Sequence, residues 1–167
     1  MIDWLFDASK KVLDVGLEAW KQDQARKELR NAVQGRLCRE LRYVEHILLE
    51  FCVDVDPMGQ VFDARAEADA AKLFRALSTE AFDTLSSSPA PLSAFLTEAE
   101  IQPGFSRPDR YQDYRKRIAN VSISDLVERC YLRVKILRQR ALADLPLGDV
   151  DYVLFLVRTV IRSLKTE

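Results

Sequence analysis

The sequence predicts an all-α protein: a bundle of about four main helices, with a long first helix and a partly helical insertion between helices two and three. Three observations carry this expectation. Apolar side chains recur at steps of three and four over long stretches, the spacing that holds one stripe on one side of a helix. The punctuating residues are sparse, with only 5 glycines and 6 prolines in 167 residues, too few for the many turns of a sheet protein. Prolines and glycines also cluster at a few places, so they mark helix ends rather than interrupting helices. The length suits a single domain with a core large enough to need no staples.

The central stretch is Glu28 to Val53, where Leu29, Val33, Leu37, Leu41, Val44, Leu48 and Phe51 form the stripe and Arg39, Arg42, His46 and Glu50 fall on the far side. DVDPMGQ, from Asp54 to Gln60, reads as the turn that stops it. Asp63 then reads as the N-cap of helix two, with Glu67 and Asp69 in the first turn, where the helix dipole favours acids. Ala66, Ala70, Leu73, Leu77, Ala81 and Leu85 would be its stripe, ending at Ser86 to Pro89.

Residues 90 to 121 form the insertion. Pro91 sits at the first-turn position of a short helix, LSAFLTEAE, and Pro103, Gly104 and Pro108 break the chain after it. Asp109 is expected to cap a second short helix, RYQDYRKRIA, ending near Asn120. Ser122 and Asp125 resemble a capping box for helix three, with Ile123, Leu126, Cys130, Val134, Leu137 and Ala141 as its stripe. Asp149 caps helix four, whose stripe is Val150, Val153, Val157, Val160 and Leu164, leaving Asp151, Arg158, Arg162 and Lys165 for solvent.

Ahead of all this, residues 1–20 form an amphipathic segment, taken apart from a bundle domain of residues 21–167. Asp3, Asp7, Lys10, Lys11, Asp14, Glu18 and Lys21 share one narrow side; Ile2, Leu5, Phe6, Leu13, Leu17 and Trp20 belong to a wide apolar remainder. The neck, KQDQARKE, has only Ala25 as an apolar residue, so the segment is either a lever projecting on a solvated helix or a helix folding back after a short break. The start, MIDWLFDASKK, lacks the basic region of a secretory signal, and no apolar run is long enough to span a bilayer. A cytoplasmic protein is expected. Its polar side carries four acids, which disfavours a membrane surface as the cover for the apolar side.

Composition excludes several chemistries. The net charge of −1 argues against wholesale nucleic-acid binding. Three cysteines without a CxxC spacing, and a single histidine, imply neither a disulfide framework nor a metal site, and no cofactor is implied. Gly-rich phosphate loops, GxSxG and HExxH are all missing. Charge is nonetheless unevenly spread. Asp54 to Glu100 holds nine acids against three bases, whereas Ile101 to Arg140 holds ten bases against four acids. Either the acidic helix two faces the basic helix three, or a basic surface is free to bind something. Arg107, Arg110, Tyr111, Tyr114, Arg115, Lys116 and Arg117 would then contact an anion or nucleic acid, with Arg129, Arg133 and Arg140 extending the patch.

One short pattern, Arg39 followed by six residues and then His46, resembles the Arg-to-His signature of HEPN-domain ribonucleases, which are small all-helical proteins. The resemblance implies Arg39 and His46 as catalytic residues acting on RNA. Two departures stand against it: the pattern lies in the first third of the chain rather than on a later helix, and Glu40 follows the arginine. The reading favoured by the whole sequence is a non-catalytic helical interaction protein, an accessory subunit, adaptor or self-associating oligomer. It would contact a protein partner or its own copy through Ile2, Leu5, Phe6, Leu13, Leu17 and Trp20, with nucleic acid and membrane as the other partners considered.

Overall fold

The computed structural model describes residues 23–55, 59–105 and 107–164. The expected amphipathic helix of residues 1–20 lies outside the described residues. Within them the architecture is mostly helical, with one small hairpin. Helix α1 spans Asp23–Leu49 and is followed by strands β1 (Cys52–Val55) and β2 (Gly59–Phe62). Two short helices come next, α2 (Glu67–Phe74) and α3 (Glu80–Ser86), then α4 (Pro108–Arg117), α5 (Ile123–Leu142) and α6 (Val150–Ser163).

Helix α1 has 27 residues and so runs about 40 Å at 1.5 Å per residue. Its stripe is buried as the periodicity requires: Leu37, Leu41, Val44 and Leu48 have no exposed surface. The neck residues from Asp23 to Glu28 continue α1. The helix stops earlier than expected, at Leu49, because Cys52–Val55 pairs antiparallel with Gly59–Phe62, placing Cys52 opposite Phe62 and Val55 opposite Gly59. A hairpin stands where the sequence predicts a turn. CVDV and GQVF are each too short to declare a strand by alternation, and Gly59, at φ 70, supplies the left-handed residue that starts the return. Phe51 and Phe62 both meet the buried Phe74 ring, at 5.7 and 6.4 Å between centroids, and this anchors the hairpin to α2.

Helix two is also not one helix. The chain breaks between Arg75 and Thr79, and α3 restarts at Glu80. Its N-terminus is satisfied from α1: Glu40 Oε1 accepts from the amide of Ala81 at 3.2 Å and from Ser78 Oγ at 2.6 Å. The break re-aims the stripe, so Ala70, Phe74, Leu77 and Ala81 are buried while Leu73 is exposed. Asp63 caps as expected, accepting from the amide of Arg65, although the turn it starts is a single 3-10 turn, Ala64–Ala66, ahead of α2.

In the insertion, the expected LSAFLTEAE helix is reduced to a 3-10 turn, Leu92–Ala94. Arg107, not Asp109, occupies the N-cap of α4; Pro108 takes the first-turn position and Asp109 pairs back with Arg107 at 2.7 Å. The Ser122 cap of α5 forms as read, with Ser122 Oγ accepting from the amide of Asp125 at 3.1 Å. All six expected stripe residues of α5 are buried.

Helix α6 lies at the centre. It packs against both α1 and α5, and Val150, Val153, Leu154, Phe155, Leu156, Val157 and Val160 are all buried. The insertion lies along it: Gln102 donates its amide to Ser163 Oγ at 2.9 Å and Gly104 to Thr159 Oγ1 at 2.9 Å. A Cβ at Gly104 would sit 2.6 Å from Cβ of Arg158, which only glycine avoids. Two residues expected in solvent are half-buried instead. Arg158 bonds Glu45 at 2.8 Å and Gln60 at 2.8 Å, and Asp151 accepts from the amide of Phe62 at 2.9 Å, because the hairpin covers this side of α6.

Candidate functional site

The charge asymmetry resolves in part as an internal match. Lys135 of α5 pairs with Asp83 of α3, Arg138 donates to the carbonyl of Leu77 at 3.1 Å, and Glu67 accepts from the amide of Leu147 at 2.7 Å. Asp83 is held below the usual carboxylate range: partial burial pushes it upward, and the hydrogen bonds from Lys135 and Thr79 outweigh that. The acidic segment and the basic helix therefore meet as an ion pair at Asp83 and Lys135.

The remaining arginines are not consumed this way. Of the seven insertion residues read as an anion contact, the structure draws several into the fold. Tyr114 is buried, and its hydroxyl donates to Asp149 at 2.8 Å; burial and that bond both push its phenol upward. Tyr111 is half-buried edge-on to Phe155, with ring centroids 6.2 Å apart. Arg107 is tied to Asp109 and lies 3.6 Å from Asp151. Arg110, Arg115, Lys116 and Arg117 remain exposed on α4. Arg115 lies over the Tyr111 ring, and Lys116 is 4.0 Å from Asp113. No free aromatic ring is left on α4 for base stacking.

Arg117 instead leaves the α4 group and joins two residues of α5. Its guanidinium lies over the Tyr152 ring at 4.9 Å, and that of Arg133 lies over the same ring at 5.7 Å. Arg140 reaches the loop before α6, donating to the carbonyl of Pro146 at 2.9 Å. These three arginines, with Gly148, Asp149 and Tyr152, line a cleft of about 140 Å³. Gly148 adopts φ 84, and a Cβ there would press to 3.3 Å from Nη1 of Arg140. Asp149 is the only carboxylate in the lining; it accepts from the Tyr114 hydroxyl and, at 3.0 Å, from the Tyr152 amide as the cap of α6. Among the described residues none of the three arginines forms an ion pair. Three arginines thus line one concavity with Asp149 as its carboxylate, and among the described residues none of them is ion-paired to it.

No protein-family model matches the chain, and no curated protein or solved structure is significantly similar to it.

The other candidates are less complete. Arg39 and His46 are exposed on α1; they share a helix face, and the nearest acid to His46 among the described residues is Glu50 at 3.8 Å. Around them Arg42 is also exposed, and Tyr43 is 62% exposed. A wider groove of about 410 Å³, between Phe82 and Leu132, carries Asp125 and Glu128 against Arg129 and Lys135, a balanced set. Burial pushes the three free thiols upward, Cys52 to about 11, so none is an activated nucleophile. Among the described residues no cluster of three or more His, Cys, Asp or Glu could hold a metal ion. No helix there is long and apolar enough to cross a membrane. The partner-contact residues Ile2, Leu5, Phe6, Leu13, Leu17 and Trp20 lie outside the described residues.

Periodicity located Arg133 and Arg140 on the same helix. The meeting of Arg117 with them, and the part played by Gly148 and Tyr152, depends on how α4 folds back and had no local signal beyond the Asp149 cap.

Proposed function

We propose that this chain is a non-catalytic helical interaction protein that takes hold of an anionic group on a protein partner. The observation that carries this reading is that Arg117, Arg133 and Arg140 line one cleft and, among the described residues, no carboxylate is paired to any of them. A folded protein neutralises most clustered guanidiniums internally, as Arg158 and Arg107 are neutralised here. Leaving three unpaired beside one another costs Coulomb repulsion that a bound anion removes. The apolar Ile2 to Trp20 stretch adds a second contact surface on sequence grounds alone.

The test is capture of partners from the native host by the full chain and by Arg133→Gln/Arg140→Gln, followed by titration of the captured protein, purified, against both. A partner that binds the wild type and is lost from the variant supports the reading. Equal binding to both would place recognition elsewhere.

A second reading rests on α1. Arg39, Arg42 and the exposed Tyr43 form a cationic, aromatic row suited to an RNA backbone, with His46 one turn on. It requires RNA binding that weakens steeply with salt and is lost in Arg39→Ala/Arg42→Ala. A HEPN-like activity would further require RNA cleavage that disappears in His46→Ala.

A further inference from the structure

We infer that the cleft between the C-terminal end of α4, α5 and the start of α6 is a phosphate-monoester site that receives a phosphorylated side chain of a partner protein. The inference rests on the proposed function above and names its ligand.

The number and placement of the donors select phosphate over carboxylate. A carboxylate has two oxygens in a plane and is satisfied by a single guanidinium fork. Three guanidiniums lining one small cavity offer more donors than that, enough to serve the three terminal oxygens of a tetrahedral phosphate. The charge balance agrees. Three arginines against Asp149 leave two positive charges in the lining, and a phosphate monoester carries about −1.5 to −2 at neutral pH. The arginines are also held without using up their donors. Arg117 and Arg133 are oriented by their faces on the Tyr152 ring, and Arg140 spends one N–H on Pro146. Such anchoring lowers the entropy lost when they close on a ligand.

The surroundings select a peptide over a nucleic acid. At about 140 Å³ the cleft admits one terminal group and is no groove for a polyanion. No open ring is offered to a base, since both arginines cover Tyr152 and Tyr114 is buried. The rim is aliphatic instead. Ile136 lines the cleft at 38% exposure, and the exposed Leu145 is tied to Arg140, whose carbonyl accepts from the Leu145 amide at 2.9 Å. Apolar neighbours of a phosphorylated residue would pack there.

The experiment uses the full chain and four probes: inorganic phosphate, a degenerate peptide pool with phosphoserine at its centre, the same pool with serine, and a 5′-phosphorylated single-stranded RNA. Inorganic phosphate should shift the amide resonances of Gly148, Asp149 and Tyr152 and the Nε–H signals of the three arginines. The phosphoserine pool should bind at least tenfold more tightly than the serine pool, and inorganic phosphate should displace it. Arg133→Gln/Arg140→Gln should remove that preference at an unchanged thermal midpoint; if the variant does not fold, displacement from the wild type decides. Equal binding of the two pools, no resonance shift at millimolar phosphate, or tighter binding of the RNA than of the phosphoserine pool would each overturn the proposal. Failure here leaves the interaction reading standing if a purified partner still binds in an Arg133-dependent way. Phosphate binding with no partner captured would sink that reading instead.

Discussion

Arg158 and Arg133 face the same central helix bundle from opposite circumstances. Arg158, on α6, is half-buried beneath the hairpin and bonded to Glu45 and Gln60; Arg133, on α5, is exposed, stacked on Tyr152 and free of any carboxylate. The first joins α1, α6 and the hairpin, so its charge is spent on the fold. The second contributes little to the fold and keeps its charge available. The difference shows that a count of arginines says nothing about binding until each one's partner is known. Buried pairs are costly to break because the remaining charge is stranded, whereas exposed cations change stability little when removed.

Five substitutions sharpen or break this contrast. The largest effect is expected at Phe155, the fully buried ring of α6 that meets Tyr111, Tyr114 and Tyr152. Phe155→Ala should destabilise by about 3–5 kcal/mol in urea melts, loosening α4 and the cleft along with the core. Next is Gly104→Ala, whose Cβ would meet Arg158 and the α6 backbone at 2.6–2.9 Å; a loss of about 1–3 kcal/mol is expected from such overpacking. An unchanged midpoint would mean the insertion is not seated on α6 as described.

The direct comparison follows. Arg158→Ala should cost roughly 1–2 kcal/mol by stranding Glu45, while Arg133→Gln should stay within about 0.5 kcal/mol. Similar losses for both would erase the distinction on which the binding site rests. The smallest effect concerns Asp151, whose carboxyl is raised above its ordinary value, chiefly by burial beneath the hairpin. A folded pKa above the unfolded one gives stability that is present at low pH and lost as pH rises through the folded value. Asp151→Asn should therefore gain on the wild type between about pH 3 and pH 7, read as urea midpoints at both. A variant equally weak at both would show that the raised carboxyl has no bearing on stability.

Much of the framework could be read from residues close together in the chain. The stripes of α1, α5 and α6 and the Ser122 and Asp149 caps are local facts, because a helix face and its N-cap are set by neighbours within a few positions. The break before α3 was not legible, since the carboxylate that satisfies its N-terminus comes from Glu40, 41 residues away from the amide it caps. The hairpin escaped for a related reason: two four-residue strands gain their stability from pairing and from Phe74, neither visible in either strand alone.

By itself, then, the sequence determined that the chain is helical, which faces are apolar, and that its middle third is acidic while the next stretch is basic. Only the tertiary structure decided which charges cancel. Pairing depends on distances between side chains far apart in the chain, and those follow from how α4 folds onto α6. That packing sent Tyr114 and Arg107 inward, and it left Arg117, Arg133 and Arg140 together at one cleft with their charge unspent.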